Sequence, residues 1–255
     1  MLTKLIPIVE EAGALALGHF HSLAPTDVDE KGHLDLVTIA DRAVEVLLAE
    51  RLQAAFPGDG VYGEEGTRDM GQTGRIWVID PIDGTFNFVR GRDDWAVSVG
   101  LYDGVAPVLG AVLQPVRRRL LTGGRDVAPC LDGRPLAPLT PFRPEVAAVQ
   151  LGNGGGDPKV DVADTLRLLS GPGQAMARMT NAATAAMMEL VMGQVDGYVS
   201  CGDSSWDLMG TWSIATALGA TSTLDWAGFG LQDRGHFVIG KQGLVDMCTG
   251  IGLFA

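Results

Sequence analysis

The run Arg75-Ile76-Trp77-Val78-Ile79-Asp80-Pro81-Ile82-Asp83-Gly84-Thr85 sets four apolar residues in a row and then two aspartates around a proline. β-Branched and aromatic residues dominate its first half, so Arg75 to Asp80 reads as a buried strand. A strand that ends on a carboxylate delivers it to the edge of a sheet, where α/β proteins bind ligands. Pro81 fixes the backbone, Asp83 returns to the side of Asp80, and Gly84 permits a tight turn. Two carboxylates on such a turn can share cations. The amides of Gly84 and Thr85 can point at an anion, particularly where a helical turn begins there. The alternative is a plain turn with Asp and Gly as turn formers. An apolar strand running straight into two aspartates is unusual for one.

Three further acidic segments lie around this run. Gly63-Glu64-Glu65-Gly66 follows a short strand at Val61-Tyr62, sixteen residues before Asp80. Alone it reads as a solvated loop, but a pair of strands would bring Glu64 beside Asp80. Thr38 and Asp41 have capping-box spacing, which gives Asp41 a structural role. Lys31, in the glycine-containing loop before them, either reaches a ligand or is solvated. Ser204-Ser205-Trp206-Asp207 also resembles an N-terminal cap, with Asp207 favoured by the helix dipole. A carboxylate in a first helical turn can equally ligate a metal, and both readings of Asp207 stand.

The spacing predicts a helix over 2–23, with Leu2, Leu5, Ile6 and Val9 on one face and Pro25 beyond its end. Residues 26–37 read as a polar loop. A second helix starts at Thr38, with Ile39, Ala43, Val46 and Leu47 on one side, and stops before Pro57-Gly58. Strands over 96–102 and 105–112 flank Asp103-Gly104, the signature of a two-residue hairpin. Leu120-Leu121-Thr122 continues the meander. Residues 1–125 thus read as an α+β unit, two helices with a largely antiparallel sheet. Residues 123–145, rich in Gly, Pro and Arg, form a seam. Beyond it come a strand over 146–151, a helix start at Asp157-Pro158, a helix over 181–192, a strand over 195–199, a helix over 206–218 and a strand over 237–239. That alternation makes 126–255 an α/β unit. Gly152 to Gly156 is the most flexible-looking segment.

Composition narrows the function. The 255 residues include 19 Lys or Arg against 31 Asp or Glu, a formal charge of −12, which disfavours nucleic acid as a partner. Arg117-Arg118-Arg119, the one basic run, reads as an exposed turn between strands. No apolar run reaches the ~18 residues of a membrane span, and Lys4, Glu10 and Glu11 do not suit a secretory leader. Cys130, Cys201 and Cys248 are odd in number and form no CxxC, which fits a reducing cytoplasm. His19, His21, His33 and His236 are scattered, with no HExxH among them. Zinc hydrolysis and Cys-His catalysis are poor matches.

The remaining chemistry is carboxylate chemistry. Oxygen-only ligands select hard cations such as Mg²⁺. Crowded carboxylates repel unless cations bind among them. One common use of such a site is to hold a phosphate and activate a water against it.

In Asp35-Leu-Val-Thr38 with Asp41, Gly63-Glu64-Glu65, Trp77-Val-Ile-Asp80-Pro-Ile-Asp83-Gly-Thr85-Phe-Asn87-Phe88, Asp196-Gly-Tyr198 and Trp206-Asp207, the chain resembles the inositol monophosphatase superfamily. Its members are magnesium-dependent, lithium-sensitive phosphatases. The resemblance implies a single domain over 1–255, folded as a layered αβαβα sandwich and assembled as a cytoplasmic homodimer. It implies Glu64, Asp80, the Ile82 carbonyl, Asp83 and Asp207 as ligands of two or three Mg²⁺ per active site, with Asp80 bridging. Thr85, linked to Asp41, would help Glu64 orient the attacking water. Asp83, Asp207 and the amides around Gly84 and Thr85 would face phosphate and substrate.

Two departures concern the substrate. Asn181-Ala182-Ala183 stands where the family's inositol-binding enzymes carry Gly-Ser-Ala. Ser200 stands where they carry a Glu that holds substrate hydroxyls. The expected activity is hydrolysis of a small phosphate monoester, inositol-1-phosphate or a related sugar or polyol phosphate. Histidinol phosphate and then a 3′-phosphonucleotide are the alternatives. The rival of another class is a regulatory, non-catalytic member that binds protein or RNA. The complete acidic set argues against lost catalysis, and the charge of −12 argues against RNA.

Overall fold

The computed structural model describes residues 1–32, 35–152 and 161–253. The chain runs α1 (Leu2–Ser22), β1 (Val28–Gly32), β2 (Asp35–Thr38), α2 (Ile39–Ala55), β3 (Asp59–Gly63), β4 (Arg68–Gly71), β5 (Ile76–Asp83), α3 (Thr85–Val89), β6 (Ala96–Tyr102) and β7 (Pro107–Gln114). It continues through β8 (Arg119–Gly124), β9 (Val127–Leu131), β10 (Arg134–Pro135), β11 (Ala148–Leu151), α4 (Val162–Ser170), β12 (Met176–Arg178) and α5 (Ala183–Val191). It ends with β13 (Gly197–Ser204), α6 (Ser205–Ala217), β14 (Thr221–Ser222), β15 (Arg234–Gly240) and α7 (Gln242–Gly250).

Three apolar clusters stack these elements into five layers. Leu5 and Val9 of α1 and Leu48 of α2 pack on Trp77, Ile79, Val97 and Val99 of an eight-stranded sheet, ordered β10-β9-β8-β7-β6-β5-β3-β4. On its other face Val78, Val112 and Leu121 meet Met187 of α5 and Met209 of α6. Those helices also cover Tyr198, Phe237 and Ile239 of a five-stranded sheet, ordered β12-β11-β13-β15-β14. Leu169 of α4 and Leu244 of α7 close its far face over Val149, Val199 and Val238. The arrangement is the expected αβαβα sandwich. The first sheet is antiparallel apart from the β3–β5 pair. The second is mixed, parallel at β11 and antiparallel at β15.

Several expectations shift. α2 buries Ala40, Asp41, Val44, Glu45, Leu48 and Leu52, whereas Ile39 and Val46 are exposed. The apolar reading had placed the wrong side inward, because two acids lie on the buried face. Both are hydrogen-bonded there, and each apolar neighbour contributes about 1.5–3 kcal/mol on burial. α1 likewise buries Ile8 rather than Ile6. In place of the polar loop over 26–37, a 3-10 turn at Pro25–Asp27 leads into an antiparallel β1–β2 ladder, Val28 opposite Thr38. The hairpin at Asp103-Gly104 has a longer turn: Asp103 Oδ1 accepts from the amides of Val105 and Ala106, so β7 begins only at Pro107.

β9 and β10, past residue 125, still belong to the first sheet. A 3-10 turn over Pro144–Val146 delays β11 to Ala148. α4 starts at Val162, its amides capped by Asp161; Asp157-Pro158 and the glycines after Gly152 lie outside the described residues. Asn181 is not helical: its φ is +57°, and α5 begins at Ala183. β13 and β15 are longer than expected, and their ends carry the site.

Candidate active site

Two β-bulges build the site, one in each sheet. On β5, Asp80 lies opposite Ser98 and Asp83 opposite Ala96, so three residues of β5 advance against two of β6. In a regular strand, residues three apart face opposite ways. The extra residue turns Asp83 back to the side of Asp80, and Ile82 to the α1–α2 side. The parallel pair Gly63 and Ile79 brings Glu64 alongside, with the Glu64 amide donating to the Ile79 carbonyl at 3.3 Å. Asp207, in the first turn of α6, approaches from the middle layer. One carboxylate oxygen each from Asp80, Asp83 and Asp207 lie within 4.8 Å of one another.

Asp80 is 1% exposed, and among the described residues neither of its oxygens has a hydrogen-bond partner. Burial, then the charges of Glu64, Asp83, Asp207 and Asp41, hold its carboxyl well above the usual range. Asp83 accepts from the amides of Ala183 at 2.9 Å and Ala185 at 3.1 Å. Burial still pushes it up to about 7. Asp207 accepts from the Ser204 amide at 2.6 Å, as the capping pattern predicts. Burial, Asp203, Asp83 and Glu64 raise it well above its ordinary value.

Thr85 opens α3 after Gly84, whose φ of +88° suits glycine. A Cβ on Gly84 would also stand 2.7 Å from Ala182 Cβ. The Thr85 hydroxyl lies 3.1 Å from Asp41 Oδ1. Asp41 Oδ2 meanwhile accepts from the Thr38 amide and hydroxyl, so it caps α2 and reaches the site at once. Burial raises its carboxyl. Asn87 Nδ2 donates to the carbonyls of Asp94 and Thr180, tying α3 to the segment before α5. Asn181, Ala182 and Ala183 therefore border Gly84 and Asp83.

Ser200 is fully buried, and its hydroxyl is committed to the fold. It donates to the Gly235 carbonyl at 2.6 Å and accepts from the amides of Gly202 and Asp203. These bonds shape the second bulge, where Cys201 faces His236 and Asp203 faces Gly235. Gly202 takes φ +115° there. Val199 and Cys201 pack toward α4 and α7, and Tyr198 toward α5 and α6. The bulge moves Asp203 from the first of these faces to the second, where the Tyr198 hydroxyl donates to Asp203 Oδ2 at 2.6 Å. On top of burial, the charge of Asp203 reaches the site and raises both Asp207 and Asp83. Sequence reasoning missed Asp203. The glycine before it and its position four residues ahead of Asp207 were the available signals.

Other sequence features have structural roles. Asp196 pairs with Lys241 at 2.7 Å and accepts from the Ala148 amide. Arg117 pairs with Asp94 beside an exposed turn. Burial raises Cys201 to about 11 and Cys248 to about 12, which removes both as nucleophiles. The Lys31 side chain lies outside what is described. Among the described residues no helix is long and apolar enough to cross a membrane.

The chain is 31% identical over 250 residues to the Nus factor SuhB of Pseudomonas aeruginosa, covering 94% of this chain and 91% of that one. It is 44% identical over 108 residues to a histidinol-phosphatase of Mycobacterium tuberculosis, covering 42% of each chain. The crystal structure of the extragenic suppressor protein SuhB from Bartonella henselae superposes with a TM-score of 0.85 at 21% identity, covering 100% of this chain and 99% of that one. The sequence profile of the inositol monophosphatase family matches residues 1–245, and the chain belongs to that family.

Proposed function

We propose that the protein is a Mg²⁺-dependent phosphatase that hydrolyses a small phosphate monoester. The carrying observation is Asp80, whose two buried oxygens have no hydrogen-bond partner among the described residues and sit among Asp83, Asp207 and Glu64. An uncompensated buried carboxylate is costly, and an all-oxygen donor set fits a hard cation. Glu64, Asp80, the Ile82 carbonyl, Asp83 and Asp207 would hold Mg²⁺. Bound there, the metal would neutralise phosphoryl oxygens and lower the pKa of the attacking water.

The chain's own groups do the rest. Thr85 passes its proton toward Asp41 and so offers lone pairs to a water, while Glu64 takes a second hydrogen of that water. The amides of Gly84 and Thr85, with Asp83 and Asp207, border the phosphoryl group. The water oxygen bonds to phosphorus as the P–O bond to the ester oxygen breaks; the water gives up a proton to Glu64 and the departing oxygen takes up a proton from solvent, giving phosphate and the free alcohol.

Family membership favours inositol-1-phosphate or a related sugar or polyol phosphate as substrate. The 44% identical stretch shared with a histidinol-phosphatase supports histidinol phosphate as the second reading. A 3′-phosphonucleotide ranks third. A regulatory role like that implied by the name Nus factor is the rival, and the complete acidic set weighs against it as the sole function. A cytoplasmic, lithium-sensitive homodimer completes the reading. The test is turnover of these esters with Mg²⁺ and with EDTA. Metal-dependent release of phosphate supports the reading, and no release from any ester sinks it.

A further inference from the structure

We infer that Asp203, aimed by the β13 bulge and clamped by Tyr198, binds the part of the substrate beyond the phosphate and selects a leaving group that presents a hydrogen-bond donor. The inference rests on the phosphatase reading.

The β13 bulge sets the direction of Asp203. Without it Asp203 would share the face of Val199 and Cys201, in the apolar layer under α4 and α7. The chain instead places a glycine at φ +115° and commits the whole Ser200 hydroxyl to turning Asp203 inward. Bulges that re-aim a side chain recur beside active sites.

The carboxylate that results is 6% exposed. Tyr198 donates to Asp203 Oδ2 at 2.6 Å, and Ser200 and the charge of Arg234 also favour the carboxylate, so its orientation is fixed. Gly152 keeps the space next to the pair narrow: a Cβ there would stand 3.0 Å from Asp203 Oδ2. Asp83 is anchored to the start of α5 through Ala183, and the charge of Asp203 reaches it. Asp203 belongs to β13 of the second sheet, whereas Glu64 follows β3 and Thr85 follows β5 of the first. A phosphate held by the acids must extend its leaving group away from the attacking water. That direction leads toward the residues on the second-sheet side. A carboxylate only accepts hydrogen bonds, so it rewards a hydroxyl or an ammonium group and penalises a bare hydrocarbon.

The experiment compares kcat/KM for glycerol 2-phosphate, which offers hydroxyls, O-phosphoethanolamine, which offers an ammonium, and phenyl phosphate, which offers neither. The ratio of each donor-bearing ester to phenyl phosphate is measured in wild type, Asp203→Asn and Tyr198→Phe, with the Mg²⁺ dependence of each. Asp203→Asn should lower the ratio about tenfold or more for the preferred donor, a magnitude typical of a charge-assisted hydrogen bond. Tyr198→Phe, which loosens the clamp, should lower it less. The ester with the larger fall identifies hydroxyl or ammonium. If Asp203→Asn does not fold, a lowered ratio in Tyr198→Phe supports the inference and an unchanged one overturns it. An equal loss on all three esters makes Asp203 structural and overturns it. A shifted Mg²⁺ dependence with unchanged ratios makes it a metal ligand and also overturns it. Wild type that hydrolyses no ester overturns the phosphatase reading itself and takes this inference with it.

Discussion

The Thr85 hydroxyl lies 3.1 Å from Asp41 Oδ1 and 3.1 Å from the Ile82 carbonyl oxygen. It has one proton for two acceptors, so its remaining hydrogen-bonding capacity is as an acceptor. A water beside it is therefore oriented by its hydrogens, with its oxygen directed elsewhere. Thr85→Ala keeps every proposed metal ligand and removes this orientation. We expect kcat to fall by ~10²–10⁴ with the Mg²⁺ requirement nearly unchanged. A variant that instead loses mainly Mg²⁺ response would make the hydroxyl a brace for the Ile82-Asp83-Gly84 turn.

Asp80→Asn tests the centre of the acidic cluster. Asp80 is buried with no partner among the described residues for either oxygen, so its charge is a cost to the metal-free fold. Turnover should be abolished. The melting temperature in EDTA should hold or rise, since the change relieves repulsion from Glu64, Asp83 and Asp207. Near-normal turnover in Asp80→Asn would show that the site has been placed wrongly.

How far the site could be read from sequence depended on the two bulges. β5 is plain from Ile76 to Ile79, and Asp80, Asp83 and Asp207, which the structure gathers, each stand out in a local motif. Each sits in a motif legible over a few residues, and a pairing of strands could be expected to bring Glu64 beside Asp80, but that this pairing is parallel is visible only in the structure. Asp203 was not found, because period-two counting places it on the α4–α7 face and only the register shift opposite Gly235 reveals the flip. The inner face of α2 was misread for a related reason. Asp41 and Glu45 are buried by hydrogen bonds to Thr38, Thr85, Glu65 and Thr67, and apolar periodicity cannot register a buried acid. Ser200 was read as a recognition residue from its position alone. Its bond to Gly235 crosses to a strand 35 residues away, and its bonds to Gly202 and Asp203 exist only because β13 bulges there.

Linkage gives a pH dependence for the metal-free protein. Asp83 is raised to about 7 by burial, against about 3.9 in an unfolded chain. Between these values the folded state holds a proton that the unfolded state has released. Stability should therefore be full below about pH 4 with respect to this group and fall as pH rises toward 7, by up to about 1.4 kcal/mol per pH unit. Asp80 and Asp207 shift in the same direction. Denaturant unfolding in EDTA from pH 5 to pH 8 checks the sign, and Mg²⁺ should restore stability most at the alkaline end. A slope of the opposite sign across that window would contradict the raised Asp83 carboxyl.

Glu45 positions the Glu64 loop. Its buried carboxylate accepts from the Glu65 amide at 2.6 Å and the Thr67 amide at 2.8 Å, pinning the turn that carries Glu64. Glu45→Gln replaces one acceptor oxygen with an NH₂ group facing an amide. The loss should be about 1–3 kcal/mol of stability for the amide left unsatisfied. The informative readout is the Mg²⁺ concentration for half-maximal turnover, which should rise. Lower stability with an unchanged Mg²⁺ response would confine Glu45 to the fold.

Ser200 is the residue whose expected role the structure alters most. The family pattern suggests that a Glu at position 200 would restore contact with polyol hydroxyls. The Ser200 hydroxyl, however, accepts from the amides of Gly202 and Asp203 and donates to the Gly235 carbonyl. Ser200→Ala orphans two buried amides, at about 1–3 kcal/mol each. For a chain of this size each kcal/mol lowers the melting temperature by about 2–4 °C. Ser200→Glu loses the same bonds and sets a second carboxylate near Asp203, already held above the usual range by burial. It should be the less stable of the two, and its kcat/KM for inositol-1-phosphate should not exceed that of wild type. A Ser200→Glu protein that keeps its melting temperature and gains tenfold on inositol-1-phosphate would mean that the bulge tolerates the loss of the hydroxyl and that position 200 recognises substrate after all.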